Sequence, residues 1–250
     1  MSVVDVFITT TPGRSEITNR SLKSLADNWD PSIRLTIYAD GGADHLGDWK
    51  GYADAVIESS SREGLPMAIN RCLSHIQATN EYYLTPRASD GGRASDFVCM
   101  VQDDIEYTPG WLARLRSMFL FYERRAEGLG FASGVECVEH PVREQLPAGM
   151  LLKDYIRAAN MFGRRDYWMS MYPIPRFDPE TGRVRAFPGD GVGSGVDWHF
   201  IRNHENSVVR TGRTCLVIPG LLRHIGYRDS TWLERDLPES TADIAAMGSP

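Results

Sequence analysis

The 250-residue sequence has little lysine, and arginine supplies 24 of its 27 basic residues. Arginine binds phosphate and carboxylate groups with two parallel hydrogen bonds, which lysine cannot do. We attribute most of this excess to genomic base composition rather than to function. The formal net charge is −6, so the composition as a whole gives no electrostatic signal for nucleic-acid binding, although a local basic patch stays compatible with it.

Paired cysteines and long apolar runs are also absent. The four cysteines are scattered without a C-x-x-C pair, which speaks against a disulfide framework and against a zinc site. Cys72 and Cys99 fall within apolar patterns, so we expect buried, reduced thiols. No stretch approaches the roughly 18 apolar residues of a membrane span, and the start MSVVDVF is typical of a strand rather than a signal peptide. These features predict a cytoplasmic protein.

Strands and helices alternate in the first half of the sequence. Strands are predicted at 3–9, 33–39, 55–58 and 97–102, and helices at 15–28, from 65 and from 108, with Ser15 and Thr108 as caps and Pro66 in a first turn. This alternation predicts an α/β sheet with parallel strands.

The rhythm changes after about position 130. Strands are predicted at 131–138 and 214–218, a turn at 178–182 and a helix at about 197–206. The residues beyond 232 are acidic and small, which predicts a mobile tail.

Three of the predicted strands end in polar loops, T-T-P-G-R, A-D-G-G and Q-D-D. Ligands of open α/β sheets bind beyond the carboxyl ends of the strands, so these loops are expected at one ligand-binding edge. The third loop places Asp103 beside Asp104 at the end of a buried strand, where like charges repel strongly. Such a pair needs compensation from a divalent metal, an arginine or water.

In their order and spacing these motifs resemble those of nucleotide-sugar glycosyltransferases of the GT-A fold, from position 4 to about 230. The resemblance rests on the loop at 9–14, Asp40, G-L-P-M-A-I-N at 64–70, Q-D-D at 102–104 with the following P-G-W-L, G-S-G-V-D at 193–197 and H-I-G at 224–226. The acidic motif of the family is commonly Asp-any-Asp, and here its first position is Gln102.

The resemblance implies a Rossmann-like nucleotide-binding sheet with an added acceptor-binding lobe. It divides the chain into a donor half at 1–135, an acceptor and catalytic half at 136–232 and the tail at 233–250. Asp104 and His224 would bind Mn²⁺ or Mg²⁺, and Asp197, with Asp190 as its rival, would be the base of an inverting transfer. The residues expected at the donor, a UDP-sugar, are Thr9, Thr10, Arg14, Asp40, Arg62, Asn70, Gln102 and Asp103.

The acceptor and the alternatives stay open at this stage. The acceptor is either a glycan or small molecule, or a hydroxylated DNA base as in phage-type enzymes. A group of arginines, which would serve phosphate binding or simply solvation, lies in the acceptor segment: Arg143, Arg157, Arg164, Arg165, Arg176, Arg183 and Arg185. A catalytically silent nucleotide- or sugar-binding module is the main alternative function. The sequence lacks the G-x-G-x-x-G run of dinucleotide-binding enzymes after its first strand. A nuclease or phosphatase would need a denser acidic cluster.

Overall fold

The structure is a computed structural model that describes residues 2–85, 92–125, 128–135, 141–175 and 199–225. Its strands are β1 (Val4–Thr10), β2 (Ile33–Ala39), β3 (Ala55–Glu58), β4 (Phe97–Gln102), β5 (Ile105–Tyr107), β6 (Leu129–Ser133), β7 (Val142–Gln145), β8 (Leu151–Lys153), β9 (Asn160–Arg164), β10 (Thr214–Val217) and β11 (Leu222–His224). Its α-helices are α1 (Ser15–Asp27), α2 (Leu65–Tyr83), α3 (Trp111–Glu123) and α4 (Arg165–Met169). Short 3₁₀ segments lie at Asp44–Gly51 and Pro147–Gly149.

Within these ranges nine strands form one sheet in the order β3-β2-β1-β4-β9-β6-β10-β8-β7. The first four are parallel to one another, whereas β9 runs antiparallel to both β4 and β6. The α/β class predicted from the sequence is confirmed, with a mixed rather than wholly parallel second half. Strands from before and after position 135 alternate in this sheet, since β9 lies between β4 and β6.

The central strand β4 is buried on both faces. Cys99 and Val101 belong to the core that α1 and α3 cover, and Met100 belongs to the core beneath α2 and Trp168. The expectation of buried thiols at Cys72 and Cys99 is confirmed. A strand buried on both faces reads as a continuous apolar run, which is why its position was predictable.

Two predicted helix caps are wrong. Ser15 is the first residue of α1 rather than its cap, and no side chain caps that helix. Thr108 does not cap α3, which begins at Trp111 after Gly110 in the left-handed conformation (φ 70°). The Thr108 hydroxyl instead donates to the carbonyl of Leu221 at 2.7 Å, because β11 packs beside this turn. A tertiary hydrogen bond has replaced the local one that the sequence suggested.

The later elements are shorter than expected. The predicted strand at 131–138 runs from Leu129 to Ser133, and its positions 136–138 lie outside the described residues. In place of the helix predicted at about 197–206 there is a single π-helical turn at His199–Asn203. None of the helices in the described parts of the chain combines the length and hydrophobicity that a membrane crossing requires.

A buried ion pair lies at the end of the sheet where β1 and β2 begin. Arg34 donates to Asp5 Oδ1 from Nε at 2.5 Å and to Asp5 Oδ2 from Nη2 at 2.8 Å. Asn80 donates to the same carboxylate at 2.9 Å, and Ser95 also donates to it. One guanidinium therefore neutralises one carboxylate here, far from the strand ends that the motifs occupy.

Candidate functional site

The carboxyl ends of β1, β2 and β4 form one edge of the sheet, which we call the rim. Thr9 is paired with Gln102, the last residue of β4. Asp103, which follows directly, therefore lies level with Thr10. The amide of Asp40 donates to the carbonyl of Thr10 at 2.8 Å, which places the end of β2 at the same level. The predicted meeting of the three loops at one edge is therefore what the structure shows.

Asp103 is saturated by partners from three elements. Its Oδ1 accepts from Arg14 Nη1 at 2.8 Å, and its Oδ2 accepts from the hydroxyls of Thr10 and Thr18 at 2.8 and 2.9 Å. Burial raises the pKa of this carboxyl and the charge of Asp104 adds to the rise, whereas Arg14 and the two hydroxyls oppose it. Asp103 thus ties β4 to β1 and α1, with both of its oxygens already engaged.

Arg14 supplies the positive charge that the acidic pair requires. Its Nη1 bonds to Asp103, and its Nη2 lies 2.6 Å from Asp104 Oδ2, so one guanidinium bridges both carboxylates. The side chain is 19% exposed, and the two acids are almost fully buried. Of the three compensating groups that the sequence allowed, the structure contains the arginine.

A two-stranded sheet brings the late histidine to this pair. β5 follows Asp104 directly and pairs antiparallel with β11, in a register that sets His224 opposite Ile105. The amide of Ile225 donates to the carbonyl of Asp104 at 2.8 Å. As a result His224 Nε2 lies 3.5 Å from Asp104 Oδ1. This oxygen is buried and accepts no hydrogen bond from the described residues.

Asp104 Oδ1 and His224 Nε2 fit the requirements of a divalent metal ion. Two ligands that each lie about 2.1 Å from one ion can be separated by this distance. Burial lowers the pKa of His224, with Asp104 opposing the shift and Arg157 adding to it, so the imidazole is neutral and able to ligate at pH 7. In the described ranges no group of three or more His, Cys, Asp or Glu side chains could hold a metal. An ion here would take its remaining ligands from a substrate or from water.

Glu106 holds the histidine strand in place. Its carboxylate accepts from Arg20 of α1 at 2.5 Å and from Arg223 of β11 at 2.7 Å. Burial acts to raise the pKa of Glu106, but the hydrogen bonds from the two arginines outweigh it and lower the pKa. Glu106 therefore connects α1 to the strand that carries His224.

Asp40 organises the start of α2. Its Oδ1 accepts from the amide of Glu63 at 2.6 Å, and its Oδ2 accepts from the amide of Gly64 at 2.9 Å. Arg62, just before these amides, is exposed, and its Nε donates to the hydroxyl of Thr11 at 2.9 Å. Both predicted donor-binding residues thus lie on loops of the rim, and the carboxylate of Asp40 is largely occupied by backbone.

The remaining predicted residues differ in position. Thr9 and Gln102 are half-buried at paired strand ends. The amide side chain of Asn70 pairs with both backbone groups of Ile174, at 2.9 and 2.8 Å, so it anchors the segment after α4. Asp197 lies outside the described residues, as do Asp190, the segment from 226 onward and the predicted tail.

Sequence reasoning missed several residues of this network: Thr18, His45, Glu106 as a clamp, and the proximity of Arg157 to His224. Thr18 was the easiest of these to predict, because it follows Arg14 by four positions and so lies on the same side of α1. His45 Nε2 lies 3.1 Å from the hydroxyl of Thr10.

A scan against models of protein families and a search of curated proteins found no match for this chain. Solved structures do resemble it. One is the mannosyltransferase PcManGT from Pyrobaculum calidifontis in complex with GDP-Man and Mn²⁺, at a TM-score of 0.49 and 14% identity. Another is TarS of S. aureus, at a TM-score of 0.47 and 13% identity.

The chain spans about half or less of the matched proteins. The likeness covers 69% of this chain and 47% of PcManGT, and 73% of this chain and 31% of TarS. A shorter TarS structure, residues 1–349, matches at a TM-score of 0.45 and 13% identity, over 67% of this chain and 48% of the other. At these scores the likenesses carry no argument about activity, and the function proposed below rests on the geometry of the rim.

The network around Asp103 generates a first prediction. Thr18→Val keeps the side-chain volume but removes one donor to a buried, charged oxygen. We expect the free energy of unfolding to fall by about 2 kcal/mol, the range for hydrogen bonds to charged groups. Urea denaturation measures the change. Thr79→Val, on α2 away from the rim, is the control and should change stability by less than about 0.5 kcal/mol. Equal effects of the two substitutions would contradict the assigned role of Thr18.

Proposed function

We propose that this protein is a glycosyltransferase that moves a sugar from a nucleoside-diphosphate sugar to a hydroxyl group of an acceptor. The observation that carries the proposal is the pairing of Asp104 Oδ1 with His224 Nε2, 3.5 Å apart at the rim, with Arg14 beside them. A diphosphate leaving group needs positive charge both when it binds and when it departs. This arrangement offers a place for a cation and a fixed guanidinium together.

Different residues of the rim would bind the metal ion, the nucleoside and the phosphates of the donor. Asp104 and His224 would hold Mn²⁺ or Mg²⁺, and the mixed carboxylate and imidazole set favours Mn²⁺. When bound, the ion supplies Lewis-acid stabilisation to the diphosphate. Asp40 and the loop at 9–14 would line the nucleoside pocket, with UDP as the expected nucleotide. Arg62 is exposed on the neighbouring loop and would contact a phosphate of the donor.

Asp197 is proposed as the base, on its sequence context alone. In an inverting transfer it takes the proton of the acceptor hydroxyl as that oxygen bonds to the anomeric carbon. The bond from the anomeric carbon to the diphosphate breaks at the same time, and the nucleoside diphosphate leaves with the electron pair.

Charge pairing among the described residues of the acceptor segment, 141–175 and 199–225, supports a glycan or small molecule rather than DNA as the acceptor. Three arginines of that segment are paired with acids within the chain. Arg164 lies 2.7 Å from Glu123, Arg165 lies 3.1 Å from Asp166, and Arg143 lies 3.6 Å from Asp154. Arginines already paired with carboxylates gain less from a phosphate backbone than unpaired ones.

Metal-dependent donor binding is the direct test of this proposal. Thermal shift and donor hydrolysis are measured with UDP-, GDP- and CDP-sugars, with and without Mn²⁺. We expect stabilisation and hydrolysis with one nucleotide only when Mn²⁺ is present. Asp104→Ala and His224→Ala should each abolish the Mn²⁺-dependent part, because each removes one of two protein ligands. Asp27→Ala, an exposed acid on α1, is the control and should leave it unchanged. Full hydrolysis in excess EDTA would contradict the metal assignment.

The base is tested separately. Asp197→Asn is nearly isosteric and removes the proton-accepting charge, so we expect kcat to fall by about 10²–10⁴-fold. The dissociation constant of the donor should hardly change, because the residue is assigned to the acceptor side. Asp190→Asn is the matched comparison. A normal kcat for Asp197→Asn together with a large loss for Asp190→Asn would show that Asp190 is the base.

A further inference from the structure

The charge at the rim is nearly balanced before any ligand binds. Asp103 and Asp104 carry two negative charges, and Arg14, bonded to both, carries one positive charge. The guanidinium of Arg157 lies near enough to His224 to act on it electrostatically. A divalent cation that enters alone therefore meets one net negative charge from the bonded trio and a further positive side chain close by.

Arg14 bonds to one carboxylate oxygen of each of the two aspartates. It engages Asp103 Oδ1 and Asp104 Oδ2, and the hydroxyls of Thr10 and Thr18 engage the other oxygen of Asp103. The remaining oxygen, Asp104 Oδ1, faces His224 at 3.5 Å. Arg14 can thus stay in place when an ion binds to Oδ1, and its charge then acts on both the ion and the diphosphate.

We propose that Arg14 couples the two ligands by charge: it weakens binding of the bare cation and strengthens binding of the diphosphate, so that the cation is held firmly only together with the nucleotide. This inference rests on the proposed function. A cation next to a guanidinium is repelled by it, whereas a diphosphate is attracted to it. A site arranged in this way binds a hydrated metal ion weakly and binds the complex of the metal ion with the diphosphate more strongly.

The other buried ion pair, Arg34 with Asp5, uses its arginine differently. Arg34 meets a single carboxylate, Asp5, with two hydrogen bonds, and no negative charge of that pair is left over. Arg14 instead shares its two amino groups between two acids. The shared arrangement keeps one carboxylate oxygen available for an ion, and the Asp5 pair does not.

The test measures binding rather than turnover. Mn²⁺ alone and UDP alone are titrated by calorimetry into wild-type protein, Arg14→Gln and the control Arg34→Gln. For Arg14→Gln we expect Mn²⁺ to bind about tenfold more tightly and UDP about tenfold more weakly, because one positive charge next to both ligands has been removed. Arg34→Gln should lower the thermal unfolding temperature but leave both dissociation constants within about threefold of wild type. These opposite shifts would not arise from a merely structural role, which predicts that both ligands bind more weakly.

A double variant keeps the inference testable if Arg14→Gln does not fold. Arg14→Gln/Asp103→Asn replaces the ion pair by two amides and restores the net charge of the site. Since the lost positive and negative charges cancel and both oxygens of Asp103 are engaged elsewhere, Mn²⁺ alone and UDP alone should each bind within about threefold of wild type.

Unchanged or weaker Mn²⁺ binding by a folded Arg14→Gln, or a loss of about tenfold in the affinity of either ligand in the double variant, would overturn the inference. Wild-type protein that binds no nucleoside diphosphate with Mn²⁺ would instead contradict the proposed function. The two failures are therefore distinguishable.

Discussion

The repulsion between two adjacent buried carboxylates is the constraint around which the rim is built. Asp103 and Asp104 are almost fully buried at the end of the central strand β4. Leaving them uncompensated would cost several kcal/mol per ion. Arg14 relieves this cost, and it can do so because the T-T-P-G-R loop delivers it from the end of β1, directly before α1. One interaction therefore links the start of α1 to the electrostatics of the site.

The compensation is asymmetric, and the asymmetry gives the site its chemical character. Asp103 has every oxygen engaged and serves as an anchor. Asp104 has one oxygen bonded to Arg14 and the other turned toward His224. The histidine arrives from more than a hundred positions later in the chain, and the β5–β11 pairing with the Glu106 clamp holds it there. The way in which Arg14 compensates the two carboxylates therefore leaves Asp104 Oδ1 as the oxygen that could bind a metal ion.

The sequence predicted the strands that carry the rim but not the contacts across it. β2, β3 and β4 have the predicted bounds because apolar runs between turn signals report strands directly. The need for a cation beside Asp103 was also predictable from charge alone. The choice of Arg14 was not, because it depends on the pairing of β1 with β4. β5 and β11 have three residues each, too few for a periodic pattern.

Some residues that the sequence suggests as donor ligands use their polar atoms for hydrogen bonds within the fold. Asp40 and Asn70 use their polar atoms on backbone groups of Gly64 and Ile174. Such local engagements follow from where two loops meet, which a single sequence does not encode in its periodicity. His224 was predicted only through its H-I-G context, and its approach to Asp104 gives that prediction a physical basis.

The most direct measurement is pulsed electron paramagnetic resonance of Mn²⁺ bound together with UDP to protein labelled with ¹⁵N-histidine. The account predicts a hyperfine coupling from one histidine nitrogen in the wild-type protein. This coupling should be lost in His224→Gln and retained in His45→Gln, whose Nε2 lies 3.1 Å from the hydroxyl of Thr10. A Mn²⁺–UDP complex without any histidine coupling, or a coupling that survives in His224→Gln, would contradict the account.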